Sequence, residues 1–74
     1  MKTYWIIFKD GDVYGVYEDE FSAIEEMNTY IEKNFTGVPK AIAKNMLKVT
    51  EARNNGRISI GNNFYAEEWR GIKS

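Results

Sequence analysis

Asp10-Gly11 lies between two runs of β-branched and aromatic residues, Thr3 to Lys9 and Val13 to Glu18. Asp-Gly in such a setting is a strong hairpin signal, because a type I′ turn needs positive φ at both central residues. A two-residue loop pairs Lys9 with Asp12 and Phe8 with Val13. Continued without interruption, the same register pairs Ile7 with Tyr14, Ile6 with Gly15, Trp5 with Val16 and Tyr4 with Tyr17. Side chains alternate across a strand. One face therefore holds Tyr4, Ile6, Phe8, Val13 and Tyr17, and the other holds Trp5, Ile7, Tyr14 and Val16. Both faces are apolar, whereas a sheet covered on one side alternates apolar with polar.

Helical periodicity follows the hairpin. Asp19 is a suitable N-cap for a helix from Glu20 to about Asn34. Phe21, Ile24, Met27, Ile31 and Phe35 share its apolar face, with Ala23 and Tyr30 at the border. Thr36-Gly37 is read as its stop. A second helix is expected from Pro39, with Ile42, Ala43, Met46, Leu47 and Val49 on one arc and Asn54-Asn55-Gly56 as a left-handed stop. The rival is a strand over Leu47 to Ala52. That strand would set Ile58 against Arg53 and Ile60 against Glu51, which are poor cross-strand partners. Arg57 to Ile60 reads as a third strand, Gly61-Asn62-Asn63 as a turn, and Phe64 to Trp69 as a fourth strand or an extended tail. The expectation is one compact α+β domain over residues 1–74: a small antiparallel sheet of three or four strands in ββααβ(β) order, with two helices on one face.

Composition supports folding, with 43% hydrophobic and 15% aromatic residues. A disordered segment lacks that apolar content. No stretch approaches the ~18 apolar residues of a membrane span. The amino terminus lacks the ~7–15-residue apolar core of a signal peptide. A soluble, cytoplasmic protein without a membrane partner is expected.

The chain contains neither histidine nor cysteine. It therefore lacks the usual general base, the commonest metal ligand and the best nucleophile. The carboxylate pairs Asp10/Asp12 and Glu67/Glu68 are read as turn and strand-end residues. No catalytic residue, metal ligand or cofactor is assigned, and the expectation is a protein that is not an enzyme.

Charge is segregated although the net charge is only −1. Asp10 to Glu32 contains eight acidic residues and no basic one; Lys33 to Arg57 contains six basic residues and one acidic one. The first helix should present an acidic face, with Glu18, Asp19, Glu25, Glu26 and Glu32. The second should present a basic row, Lys40, Lys44 and Lys48. The plain reading is two solvated faces that attract each other where they meet.

In style the chain is similar to the short open reading frames of phages and mobile elements: compact, free of cysteine and rich in aromatics. That likeness assigns no residue a role. It implies a protein that works by binding, such as an inhibitor or regulator of a host protein or defence complex. The expected partner surface is the sheet face left without helices, carrying Trp5, Ile7, Tyr14 and Val16, with Trp69 or Tyr65 beside them. A homodimer through an exposed face or edge strand is a further expectation. The alternative is action at a nucleic-acid site. In one form the acidic patch imitates phosphates and blocks a nucleic-acid-binding protein; in the other the Lys40/Lys44/Lys48 face binds nucleic acid weakly.

Overall fold

The computed structural model describes residues 2–72. Strands β1 (Lys2–Lys9) and β2 (Asp12–Tyr17) form the hairpin, followed by helices α1 (Glu20–Asn34) and α2 (Gly37–Arg53) and strands β3 (Arg57–Ser59) and β4 (Phe64–Ile72). The strands make one antiparallel sheet in the order β2-β1-β4-β3. Both helices pack on the same side of it, as the sequence predicts. No helix among the described residues is long and apolar enough to cross a membrane.

The turn is of the expected kind, with φ of 53° at Asp10 and 87° at Gly11. Phe8 pairs with Val13 and Lys9 with Asp12, but the register then slips. Ile7 lies opposite Gly15, Ile6 opposite Val16 and Trp5 opposite Tyr17. Tyr14 is the extra residue of a β-bulge, and a bulge shifts every later residue of its strand by one position against its neighbour. The uninterrupted register is thus correct only next to the turn. Its pairings of Ile7 with Tyr14, Ile6 with Gly15, Trp5 with Val16 and Tyr4 with Tyr17 are replaced.

Asp19 caps α1 by accepting the Ser22 amide at 2.7 Å. The buried face of α1 is Ala23, Met27 and Ile31. Phe21, placed in the core by periodicity, is 72% exposed. The helix rests on the Ala23 side, where a methyl group permits close approach, and this rolls Phe21 toward solvent. Only Phe35 and Thr36 separate the helices. Gly37, with φ of 62°, belongs to the start of α2 rather than only to the stop of α1. Pro39 therefore sits in the first turn, two residues after the helix start, where its missing N–H still leaves no bond unmade. Leu47 to Ala52 is helical, and Asn54 ends the helix in the left-handed region.

The core lies between the inner sheet face and the helices. Trp5, Ile7, Ile58, Phe64 and Ala66 come from the sheet side, and Met27, Ile31, Ala43 and Leu47 from the helices. The outer edge of β3 is covered by α2. The Thr50 hydroxyl accepts the Ser59 amide at 3.0 Å and lies 2.8 Å from the Met46 carbonyl to which it can donate. An edge strand with free amides invites unwanted pairing, and this bond closes one of them.

Candidate docking face of the sheet

The outer face is set by the central strands. Across β1 and β4, Tyr4 lies beside Trp69, Ile6 beside Glu67 and Phe8 beside Tyr65. Val13 and Val16 of β2 extend these rows on one side, opposite Phe8 and Ile6. Arg57 and Ser59 of β3 extend them on the other, opposite Glu67 and Tyr65. Among the described residues no helix lies on this side. Val13 and Val16 are more than half exposed and Trp69 nearly half, while Tyr4, Ile6, Phe8 and Tyr65 shield one another and are half-buried.

The face is ordered by its own contacts. The Phe8 and Tyr65 rings stack with centroids 5.3 Å apart and planes 28° from parallel. The Arg57 guanidinium lies 4.2 Å from the centre of the Tyr65 ring and bonds Glu67 at 3.1 Å. Such a pair restrains the arginine by cation–π attraction and by a charged hydrogen bond. The surface offers aromatic and aliphatic area around one tethered donor–acceptor pair.

The expected face residues divide. Val16 and Trp69 lie on this open surface. Trp5 and Ile7 do not: they are 5% and 0% exposed and point toward the helices. Tyr14 is exposed (42%), as expected, but on the helix side of the edge strand, edge-on to Tyr30 at 6.0 Å and to Phe64 at 5.6 Å. The assignment of Trp5, Ile7 and Tyr14 to the open surface is therefore corrected. The bulge decouples the two strands: it leaves Tyr14 on the side of Trp5 and Ile7 and moves Val16 to the side of Tyr4, Ile6 and Phe8. Tyr65, the alternative to Trp69, also lies on the open surface, and the residues missed as site residues are Tyr4, Ile6, Phe8, Val13, Arg57 and Glu67. The alternation of β4 carries the one usable signal, since Phe64 and Ala66 match the apolar Ile58 of β3 whereas Glu67 does not.

The charged faces meet as the plain reading expects. Glu32 bonds Lys40 at 2.6 Å and also bonds Lys44. These lysines hold the Glu32 carboxyl down at about 2, against an ordinary 4.5. Asp19 is engaged at the cap of α1, and the Ser22 amide lowers its pKa. Glu18, Glu25 and Lys48 remain exposed, with Glu26 partly so. The carboxylate pairs do not converge. Asp10 bonds Lys9 at the turn. Glu67 and Glu68 point to opposite faces of β4, the first to Arg57 and the second to Arg70.

Comparison with known proteins found no match among family models, curated proteins or solved structures.

Proposed function

We propose that the protein is a protein-binding module that docks through the outer face of its sheet and works by occupying a surface of its partner, as an inhibitor or regulator does. The observation that carries this reading is the uncovered row system of Tyr4, Phe8, Val13, Val16, Tyr65 and Trp69 around the Arg57–Glu67 pair. Contiguous exposed apolar surface on a soluble domain marks interaction sites, and aromatic residues with arginine dominate interface energetics. The matching partner is a protein surface of aliphatic or aromatic groups carrying one acceptor and one donor for Arg57 and Glu67. Binding through the lysine row has less support, because Lys40 and Lys44 already neutralise Glu32.

The test is capture of partner proteins from the source cells by the tagged chain. Val16→Asp and Trp69→Ala, both at exposed positions, should abolish capture while circular dichroism stays unchanged. Lys48→Ala should keep it. Retention of the same partner by both sheet variants would overturn the reading. So would a salt-steep shift of single-stranded oligonucleotides that Arg57→Ala removes, since aromatic platforms with arginine also stack bases.

A further inference from the structure

The turn between α2 and β3 carries the one Asn-Gly pair of the chain, Asn55-Gly56. Every other asparagine precedes a residue with a side chain, and a side chain hinders approach to its own amide nitrogen. Glycine leaves that nitrogen open. The geometry brings the pair toward reaction. Asn55 is exposed just beyond α2, so water reaches its side chain. Its Oδ1 accepts the Arg57 backbone N–H at 3.2 Å. This bond is that of an Asx turn; it folds the side chain back over the peptide that follows and so brings Cγ toward the Gly56 nitrogen. Among the described residues the Gly56 N–H has no hydrogen-bond partner, whereas the Gly56 carbonyl accepts the Glu68 amide at 2.8 Å.

We propose that Asn55-Gly56 is a self-modification site, at which the folded chain converts Asn55 to aspartate and isoaspartate without an enzyme. The Gly56 nitrogen gives its proton to hydroxide and attacks Cγ of Asn55. The new N–Cγ bond closes a five-membered succinimide ring. The Cγ–Nδ2 bond breaks, and Nδ2 takes a proton from water and leaves as ammonia, which restores the hydroxide. A second water opens the ring: cleavage at Cγ gives aspartate, and cleavage at the main-chain carbonyl carbon gives isoaspartate. The net change is one water in and one ammonia out, with nothing oxidised or reduced. The Arg57 N–H points at the oxygen on which negative charge develops, so it assists the addition as an oxyanion donor does. Asp10-Gly11 shares the glycine but not the reactivity, because its carboxylate is held by Lys9 at 2.9 Å and an anion resists nucleophilic attack.

The product changes the turn. It adds a negative charge beside a strand whose Glu68 already faces Gly56, with Oε1 3.7 Å from a Cβ placed there. The isoaspartyl form also lengthens the main chain just ahead of β3. Both effects loosen the pairing of β3 with β4. The turn leads directly into Arg57, yet the modification stands whether or not the outer face docks a partner.

The chain kept folded in warm, mildly alkaline buffer tests this by ion exchange and by mass spectrometry of its peptides. A species more acidic by one charge should accumulate, heavier by the difference between an oxygen and an N–H group. It should map to Asn55 ahead of every other asparagine and form faster as pH rises. Asn55→Gln should slow its formation at least about tenfold, because the larger ring loses the near-attack geometry. Mapping on the unaltered sequence keeps the test independent of how that variant folds. The isolated acidic species should unfold at a lower urea concentration than its parent; an equal midpoint would overturn the consequence drawn for β3. The proposal itself is overturned if the folded chain gains no acidic species while the same chain in urea does, since the turn would then protect Asn55. It is equally overturned by a species that maps to another asparagine or that Asn55→Gln leaves undiminished.

Discussion

The two tryptophans show how far the setting of a residue outweighs its type. Trp5 is 5% exposed beneath the helices, whereas Trp69 is 47% exposed on the outer sheet face. Their strands are adjacent, and only the alternation of side chains separates them. Emission should therefore have a shielded and an accessible component. Trp69→Phe should remove nearly all quenching by acrylamide or iodide and leave a blue-shifted spectrum from Trp5; persistence of the quenchable component would contradict the burial of Trp5. Tyr14 teaches the same lesson. As the bulge residue it joins Tyr30 and Phe64 on the helix side. Gly15 then faces Ile7, and the space where a side chain would stand is filled by the Tyr17 ring, whose Cε2 and Cζ come within 2.8 Å of a Cβ placed there. Burial in turn raises the Tyr17 pKa.

Between elements, the helices are joined on the solvent side by one carboxylate. Glu32 of α1 holds Lys40 and Lys44 of α2, and its pKa falls from an ordinary 4.5 to about 2. The sign follows from linkage. Between those values the unfolded chain binds a proton that the folded chain does not, so stability rises with pH across the window. The contribution is fully present above about 4.5 and disappears as pH falls toward 2. Urea midpoints measured between these pH values should fall with acid, and Glu32→Gln should flatten that part of the profile. High salt should reduce the effect, because the groups are exposed and screened. Thr50 joins α2 to β3 in a different way, by supplying the acceptor that the edge amide of Ser59 would otherwise lack. The side-chain rows of α2 thus have separate tasks: Leu47 packs, Thr50 closes an edge, and Ile42 stays exposed.

At the scale of the molecule, a single helical layer covers one face of a sheet that is apolar on both. Ile7 sits at the centre of the covered face, fully buried between Gly15 of β2 and Ala66 of β4. Ile7→Ala should cost about 2–5 kcal/mol, the range for truncating a buried aliphatic side chain. Val38→Ala, at a 70% exposed site, should stay within about 0.5 kcal/mol. Urea denaturation compares them directly. Similar costs for the two would mean that the core is not where the structure puts it.

Much of the fold was legible in the chain because it rests on local rules. Asp10-Gly11 encodes its turn through the conformations it tolerates, Asp19 encodes a helix start through its side-chain acceptor, and Asn54 encodes a stop through the left-handed region. Two apolar periods, one of strands and one of helices, then sufficed for the α+β class and for helices on one side. The candidate site was only partly legible. Val16 and Trp69 lie on it, Val16 only because the bulge moved it across, while Trp5, Ile7 and Tyr14 share one face as the uninterrupted register has it, but that face is the one the helices cover. Parity along a strand is local, but which parity faces the helices is decided by packing across the sheet. The bulge at Tyr14 changes that parity in mid-strand, and its one local sign is Gly15, since an isolated glycine inside a strand often marks a bulge. The same holds for α2, whose apolar arc is continuous in sequence but only half covered in space. The sequence by itself determined which segments form strands, turns and helices, since those choices depend on neighbours along the chain. Only the tertiary structure decided which apolar surface is core and which is open, because one layer of helices can bury one side of a sheet and no more.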